Sequence, residues 1–310
     1  MDIGAHLPLM DFGGHPFTLD HLIEYASAAS SLGFAAVSAN DHLVFATPWL
    51  DGPTALAAVI AASGDMTLAT TVALPVMRGP IALAKALSAI DRLSDGRLVV
   101  GVGPGSSEQD YAAVDIDFSE RWARLDEAVQ VLRALWLRDS EPFVGRWYSS
   151  ADIELEPRPA QPDGPPIWIG SWGSEVGLRR VARLADGWLA SAYNITPDGF
   201  ADAWARLRTG LVDRGRDPET FPNALGTMWC YITESRDEAD AIFRERLVPT
   251  IHRPEETLRE RLPVGPPEAF AEKLVAFRDA GVHRVFIWPV SDERRQLELF
   301  AERVVPLLGG

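Results

Sequence analysis

Eight short apolar runs alternate with eight longer helical patterns along this chain, and this alternation restricts the possible folds more than any other feature. The strand-like runs are Asp2–Leu7, Ala35–Ser38, Thr67–Leu74, Arg97–Gly101, Ile167–Gly170, Gly187–Ala190, Leu225–Ile232 and Arg284–Trp288. The helical stretches are Thr18–Leu32, Thr54–Ala62, Ile81–Leu93, Glu120–Leu137, Glu175–Leu184, Pro197–Arg214, Glu268–Ala280 and Glu293–Leu307. Strands that alternate with helices form parallel sheets, and eight such units can close into a (β/α)8 barrel. We therefore expect an α/β protein with a (β/α)8 TIM barrel, with an open doubly wound sheet as the alternative.

Two long segments interrupt the regular alternation. Residues 139–166 are rich in proline and predict a short hairpin followed by an extended segment, whereas residues 236–267 are highly charged and end in "PVGPPEAF". Insertions of this size in a barrel usually shape the mouth of the active site or a subunit contact. Because no linker separates them from the rest, we expect one barrel domain over residues 1–310, with insertions near 139–166 and 236–267.

The negative net charge of the chain limits the kinds of molecule that it is expected to bind. The chain has 29 Lys and Arg against 44 Asp and Glu, for a formal net charge of -15. Such a surface repels phosphate backbones and anionic lipids, so we expect a small-molecule substrate and neither nucleic acid nor membrane as partners. The first residues lack the basic and apolar regions of a secretory signal, and Cys230 has no second cysteine with which to form a disulfide. These features predict a cytoplasmic protein.

Three alternating glycines, Gly101, Gly103 and Gly105, follow the fourth strand-like run in "RLVVGVGPGSSEQDY". The dinucleotide-binding fingerprint needs glycine at its first, third and sixth positions, with a helix that opens inside the motif. Here Ser106 occupies the sixth position, and the long helix is not expected before about Ser119. The glycines fit better at the end of a barrel strand that a flat ligand approaches closely.

Asp41 and His42 follow the second strand-like run in "ANDHLVF". The carboxyl ends of barrel strands face the active-site mouth, so both side chains are expected to point toward a bound ligand. A histidine beside a carboxylate can hold a ring, donate a hydrogen bond or move a proton. In the alternative interpretation, Asp41 only caps the next segment.

A second candidate binding element is the junction "IWIGSWGSEVG", in which a strand runs through Ser171, Trp172, Gly173 and Ser174 into a helix. Free backbone N–H groups and the helix dipole make such a helix start a phosphate site. Simple N-capping by Ser174 is the alternative. No histidine spacing of the metal-binding kind, nucleophile elbow or Walker motif occurs, so we expect no metal site and no hydrolase or nucleotide-dependent chemistry.

Several blocks resemble, in order, those of the luciferase-like flavin and deazaflavin oxidoreductases. They include "SLGFAAVSANDHL", "ATTVALPVMRGPIALAKALSAIDRLSDGRLVVGVGPG", "EPRPAQPDGPPIWIGSWG" and "RLADGW". The "DHL" after the second strand is similar to the branch that uses coenzyme F420, whereas the branch that uses reduced FMN more often carries a Glu-His signature there. The resemblance implies a (β/α)8 barrel with insertions and a homodimer.

The same resemblance implies a site. His42 would lie beside the redox-active ring with Asp41 next to it, and a non-proline cis peptide at Thr71–Val72 would form a bulge behind the ring. The implied cofactor-binding residues are Thr71, Val72, Gly103, Gly105, Ser106, Gln109, Gly170, Ser171, Trp172, Gly173 and Ser174, with phosphate at Gly170–Ser174. The sugar-phosphate dehydrogenases of the family carry a catalytic glutamate where this chain has Ser106, which argues against a sugar-phosphate substrate.

The predicted function is therefore an F420-dependent oxidoreductase that transfers a hydride between the deazaflavin and a small organic substrate. Trp49, Trp172, Trp229 and Trp288 are candidate walls of its pocket, although a place in the structural core is favoured for Trp229 and Trp288. An FMNH2-dependent monooxygenase on the same barrel, with FMN as cofactor, is the first alternative. A non-catalytic protein that binds a flavin or deazaflavin is the second.

Overall fold

Nine strands form the sheet in the computed structural model, which describes residues 1–12 and 17–309. They are β1 Asp2–His6, β2 Ala36–Ala39, β3 Thr67–Ala73, β4 Leu98–Val102, β5 Ile167–Gly170, β6 Gly187–Ser191, β7 Asn223–Ile232, β8 Val264–Gly265 and β9 Arg284–Pro289. The strands β1 to β7 pair in sequence order and in parallel, and β9 pairs with both β7 and β1. The pairing of β9 with β1 closes the sheet, so the predicted (β/α)8 barrel is confirmed and the open sheet is excluded. The short β8 pairs with the carboxyl-terminal end of β7, at Tyr231 and Ile232, and is not one of the eight barrel strands.

Helices connect the strands around the outside of the barrel. The α-helices are α1 Leu19–Ser31, α2 Gly52–Ala58, α3 Pro75–Arg78, α4 Pro80–Leu93, α5 Glu108–Ala113, α6 Arg121–Trp136, α7 Glu175–Leu184, α8 Pro197–Val212, α9 Arg236–Ala241, α10 Val248–Ile251, α11 Glu255–Arg261, α12 Pro267–Asp279 and α13 Glu293–Leu299. Turns of 3-10 helix cover Phe118–Glu120 and Val305–Leu307, and π-helical turns cover Ile242–Leu247 and Phe300–Val304.

The short helix α5 departs from the sequence prediction, which placed no helix between the glycines and about Ser119. Ser107 caps α5, because its hydroxyl accepts a hydrogen bond from the backbone N–H of Asp110 at 3.1 Å. The chain therefore enters a helical turn directly after the glycines, and this turn brings residues 108–113 back over the barrel mouth.

Large and very small residues alternate inside the barrel. Trp168 and Phe286 belong to the interior cluster, which also contains Ala36, Ala69, Leu189 and Ala224. A Cβ on Gly187 would lie 2.5 Å from Nε1 of Trp168, and a Cβ on Gly4 would lie 2.5 Å from the Phe286 ring. Because the lumen of an eight-stranded barrel is just wide enough to be filled by side chains, each large ring requires glycine or alanine opposite it.

Two aspartates, the buried Asp91 and the partly exposed Asp186, bind backbone groups of neighbouring loops and strands. Asp91, in "DRLSDGR", has no exposed surface and accepts hydrogen bonds from Ala160 N at 2.8 Å and from Gln161 Nε2 at 2.7 Å. Asp186, in "RLADGW", accepts from Ile167 N and from the Arg133 guanidinium, both at 2.8 Å. Hydrogen bonds to a charged acceptor contribute about 1.5–3 kcal/mol each, so Asp91 holds residues 160–161 of the first inserted segment and Asp186 holds the first residue of β5.

The first inserted segment connects α6 to β5, and the second connects β7 to α12. Within residues 139–166, Val144 and Ser149 form an antiparallel bridge that closes a short hairpin turn. Residues 236–267 contain α9 to α11 and the two-residue strand β8. No helix in the described part of the chain has the length and apolarity needed to cross a membrane.

Candidate active site

A cavity of about 520 Å³ opens at the carboxyl ends of the barrel strands. Parallel barrels place their ligand sites at this end, because the loops that follow the strands converge there. The lining residues come from the ends of β2 to β7 and from the loop after β4: Asn40, Asp41, His42, Thr71, Val72, Leu74, Gly103, Pro104, Gly105, Ser106, Phe118, Arg121, Trp122, Gly170, Ser171, Trp172, Ser174, Leu189, Ala190, Ser191, Tyr193, Gly226 and Thr227. All the predicted site residues except Gln109 and Gly173 therefore meet at one cavity.

One wall of the cavity is an irregular part of β3. The peptide bond between Thr71 and Val72 is cis, as expected, and the register of β3 against β4 shifts between Thr70 and Ala73. The shift forms a bulge at which Val72 faces the cavity and the Thr71 hydroxyl is buried, with no hydrogen-bond partner among the described residues. A buried hydroxyl without a partner is unusual, and on a cavity wall it is available to a ligand.

Contacts within the protein itself require glycine at the end of β4 and directly after it. A Cβ on Gly101 would lie 2.1 Å from the carbonyl oxygen of Thr70, and a Cβ on Gly103 would lie 2.8 Å from Cγ2 of Val72. Gly105 has a φ of +76°, in the left-handed region that favours glycine. The sequence interpretation attributed the glycines to a flat ligand, whereas the structure shows that the β3 bulge itself occupies the space beside Gly101 and Gly103.

His42 stands at the end of β2 with its side chain 15% exposed, and its nearest carboxylate is not the neighbouring aspartate. Its Nδ1 lies 2.7 Å from Oδ2 of Asp110, a residue of α5 that is 68 positions away in sequence and completely buried. The other carboxylate oxygen of Asp110 accepts the backbone N–H of Val44 at 2.7 Å. Because a carboxylate only accepts hydrogen bonds, this contact is a hydrogen bond when Nδ1 of His42 carries a proton.

Asp41 also borders the cavity, but its carboxylate is engaged elsewhere. The Arg78 guanidinium donates to both of its oxygens, at 2.6 and 2.5 Å, and also contacts Asp51. Burial opposes the charge on Arg78, yet the hydrogen bonds and charges of Asp41 and Asp51 raise the pKa of the guanidinium above its ordinary value. Asp41 thus lines the cavity beside His42 while Arg78 binds both of its oxygens, and its predicted catalytic role stays a prediction.

The junction between β5 and α7 forms the opposite side of the cavity. Ser174 caps α7, since its hydroxyl accepts from Gly177 N at 3.2 Å, and Ser171 accepts from Gly173 N at 3.3 Å. The first amide groups of the ten-residue α7 have no intrahelical acceptor, and the positive end of its dipole lies beside them. Trp172 is 54% exposed at the edge of this turn.

Two predicted cofactor contacts do not reach the cavity lining. Gln109 is exposed on α5, because the helical period that turns Asp110 inward turns the preceding residue outward. Gly173 has a φ of +88° and faces α8, where Arg206 donates to its carbonyl at 2.9 Å. Ser106, in contrast, is exposed and lines the cavity.

The sequence interpretation missed Asp110, Arg78 and Arg121, which all act at or beside the cavity. A signal for Asp110 was present, since Ser107-x-x-Asp110 is a capping pattern that places a helix start directly after the glycines. Arg121 lines the cavity and stacks on Phe118 at 3.9 Å. Nothing in its sequence surroundings distinguished Arg121 from the other arginines of that segment.

Aromatic rings extend from His42 across the barrel mouth. Trp49 lies 4.6 Å from the His42 ring, and Trp229 stacks on Trp288 at 4.2 Å. Trp229 and Trp288 are buried among the core residues, and only Trp172 of the four predicted pocket walls lines the cavity itself. Among residues 1–12 and 17–309, no group of three or more His, Cys, Asp or Glu could hold a metal ion.

The comparison with known families agrees with this architecture. The family model of the luciferase-like monooxygenases matches residues 4–252. The chain belongs to this family. The resemblance noted in the sequence blocks is thereby confirmed, and the closed barrel is a TIM barrel of luciferase-like type.

Several curated relatives of this luciferase-like chain are F420-dependent dehydrogenases. An F420-dependent glucose-6-phosphate dehydrogenase of Nakamurella multipartita is 30% identical and aligns with 94% of this chain and 93% of its own length. An F420-dependent hydroxymycolic acid dehydrogenase of Mycobacterium tuberculosis is 32% identical over 66% of this chain, and the match spans only 57% of that relative. The predicted relationship to the F420-dependent branch is therefore confirmed.

Solved structures share the fold over the whole chain. The monooxygenase RslO1 from Streptomyces bottropensis superposes with a TM-score of 0.84 at 24% identity and covers 99% of both chains. An F420-dependent secondary alcohol dehydrogenase in complex with an F420–acetone adduct gives a TM-score of 0.86 at 20% identity, over 100% of this chain and 99% of the other. At this level of identity the likeness establishes the barrel fold.

Proposed function

We propose that this chain is a coenzyme F420-dependent oxidoreductase that transfers a hydride between the deazaflavin and a small organic substrate. The observation that carries the proposal is one continuous cavity that joins His42, the β3 bulge and the N-terminal end of α7. A relative that uses F420 and aligns over 94% of the chain supports the choice of cofactor.

The cavity fits such a cofactor in size and chemistry. Its volume of about 520 Å³ is in the usual range for cofactor sites, and its wall carries two buried polar atoms, Thr71 Oγ1 and Asn40 Oδ1, that have no partner among the described residues. These atoms would meet the polar edge of a ring system that lies against Val72. Ser171 and the first turn of α7 would hold the phosphate, because backbone N–H groups and the helix dipole favour an anion there.

When bound, the deazaflavin accepts or returns a hydride. The residues of the chain supply the proton transfer and the alignment. In substrate oxidation, Nε2 of His42 accepts the proton of a substrate hydroxyl, and in reduction the same nitrogen returns it. The ion pair between Asp41 and Arg78 holds the end of β2, from which His42 projects.

Ser106 separates the proposed substrate from that of the glucose-6-phosphate dehydrogenases. It places a hydroxyl at the cavity where the resemblance implies a catalytic glutamate in those enzymes. We therefore propose a substrate other than a sugar phosphate. With glucose 6-phosphate as the hydride donor, the visible absorbance of F420 should persist, and rapid bleaching would contradict this part of the proposal.

Equilibrium titration tests the cofactor assignment. F420 should quench the tryptophan fluorescence with a micromolar or lower Kd, and FMN should bind more weakly. Micromolar FMN binding without F420 binding would refute the proposal. An oxygen electrode separates the alternatives further, because the FMNH2-dependent monooxygenase consumes oxygen and a deazaflavin enzyme does not.

We also propose that the chain acts as a single barrel domain in a cytoplasmic homodimer. The dimer is supported by the family, and the cytoplasmic location is supported by the single, buried Cys230, which needs no oxidising compartment. Sedimentation velocity should give twice the mass of 33.9 kDa. A monomer at micromolar concentration would exclude the dimer without affecting the cofactor assignment.

A further inference from the structure

We infer that Asp110 is a positioning residue that holds His42 in the tautomer whose Nε2 can accept a proton. The inference rests on the proposed function, since it assigns the group that makes His42 competent for the proton transfer described above. It concerns only residues of this chain and can therefore be tested in the cofactor-free protein.

The contact has the geometry of an orienting hydrogen bond. Asp110 Oδ2 lies 2.7 Å from Nδ1 of His42, and the aspartate is completely buried while the histidine side chain keeps 15% of its surface exposed. A buried carboxylate that accepts from a ring nitrogen fixes both the orientation of the ring and the nitrogen that carries the proton. The more exposed partner, His42, is the one that lines the cavity.

Asp110 is itself held rigidly. Its second oxygen accepts Val44 N at 2.7 Å, and its backbone N–H donates to Ser107 Oγ at 3.1 Å. Both carboxylate oxygens and the backbone are thus fixed by elements that come from different loops, one after β2 and one after β4. The position of His42 Nδ1 therefore depends on the packing of the loop after β2 against the loop after β4, and not on the residues next to His42 in sequence.

Among the residues that the structure describes, no other carboxylate takes this role. Asp41 is adjacent to His42 in sequence, but both of its oxygens are bound by Arg78. Glu108 is on the same helix as Asp110 and is exposed, on the side that faces away from the barrel. Asp110 is the carboxylate that contacts His42 within the described residues.

The consequence for the reaction follows from the proton balance. During oxidation of a hydroxyl carbon, a bound deazaflavin would take the hydride of the C–H bond, Nε2 of His42 would take the proton of the O–H bond, and a carbonyl would remain. The imidazolium that results carries a positive charge next to the carboxylate of Asp110, which stabilises it. Without Asp110, the ring can take the opposite tautomer, in which Nε2 already carries a proton and cannot accept another.

The substitution Asp110→Asn tests this directly. The amide oxygen can still accept Val44 N, whereas the amide NH2 would face Nδ1 of His42 and force the proton onto Nε2. In a known Asp–His pair, the same change preserves the geometry and reduces turnover by about 10⁴-fold through the wrong tautomer. Glu108→Gln is the matched control, because it removes a carboxylate from the same helical turn without touching His42.

Two measurements report on the tautomer without a substrate. In ¹⁵N NMR of the cofactor-free protein, with the His42 signals assigned from their loss in His42→Gln, the wild type and Glu108→Gln should show a protonated Nδ1, and Asp110→Asn a protonated Nε2. Carbethoxylation of His42 by diethyl pyrocarbonate, followed by peptide mass spectrometry, should slow at least tenfold in Asp110→Asn and remain unchanged in Glu108→Gln.

A protonated Nε2 in the wild type would overturn the inference even if the variant fails to fold. So would a carbethoxylation rate in Asp110→Asn equal to that of the wild type. Titration with F420 is carried out separately on the wild type. Failure to bind F420 would refute the proposed function and leave the tautomer result standing, so the two failures are distinguishable.

Discussion

Burial of His6 should make the free energy of unfolding of this protein depend on pH between about 3 and 6.5. Its ring is 1% exposed, stacks on Trp288 at a centroid distance of 3.6 Å, and places Nδ1 2.7 Å from the carbonyl oxygen of Leu7. Burial lowers the pKa of His6 from its ordinary value of 6.5 to about 3. The folded protein therefore leaves His6 neutral at a pH where the unfolded chain protonates it.

The sign and size of the effect follow from proton linkage. Between pH 6.5 and pH 3 the unfolded state binds a proton that the folded state does not, so the free energy of unfolding falls as the pH falls. The contribution is complete above pH 6.5. At pH 5.0 the loss is about 2 kcal/mol, from 1.36 kcal/mol per pH unit over about 1.5 units.

Urea unfolding followed by tryptophan fluorescence, at pH 7.5 and pH 5.0, measures this loss. The control is His6→Phe, which keeps an aromatic ring against Trp288 but cannot be protonated. This variant lacks the hydrogen bond to Leu7 at both pH values, so the lost bond does not contribute to the difference between them. The wild type should lose about 2 kcal/mol more than His6→Phe between the two conditions. An equal loss in both proteins would show that His6 is not held neutral, and the reasoning from burial would be wrong.

Three further predictions concern the cavity and the core. Arg78→Met should lower the free energy of unfolding by about 3–5 kcal/mol, measured by urea titration, because it leaves Asp41 buried and unpaired. Gly103→Ala should weaken F420 binding about tenfold, or about 1.4 kcal/mol by fluorescence titration, because the new Cβ would lie 2.8 Å from Val72 Cγ2 and displace the β3 bulge. Cys230 is 1% exposed and burial raises the pKa of its thiol, so DTNB should react with it only after unfolding.

Matched variants serve as controls for the Arg78→Met and Gly103→Ala predictions. Arg138→Met removes an exposed guanidinium that has no ion pair within residues 1–12 and 17–309, and it should change the free energy of unfolding by less than about 0.5 kcal/mol. Gly210→Ala adds a Cβ that meets Ala182 at an ordinary 3.6 Å, and F420 affinity should not change. An Arg78→Met loss below about 1 kcal/mol would contradict the role given to the ion pair. Unaltered F420 affinity in Gly103→Ala would contradict the role given to the bulge.

Much of the fold was determined by local sequence pattern. The period of two in strands and the longer helical period depend on residues within one element, so the eight strands and the main helices could be placed along the chain. His42 and Ser171–Ser174 were found because a polar group directly after an apolar strand must lie at the barrel mouth once the strands are parallel. The cis bond at Thr71–Val72 came from the family resemblance, since no local pattern indicates it.

The partners of those residues were decided by the tertiary structure. His42 receives its carboxylate from Asp110 and not from the adjacent Asp41, because the loop after β4 folds back over the end of β2 while Arg78 binds Asp41 from the loop after β3. Gln109 turns outward for the same reason that Asp110 turns inward. A sequence specifies which residues stand at the ends of strands, but the contacts between loops depend on how the closed barrel brings distant strand ends together. The chemistry proposed for His42 depends on one of those contacts.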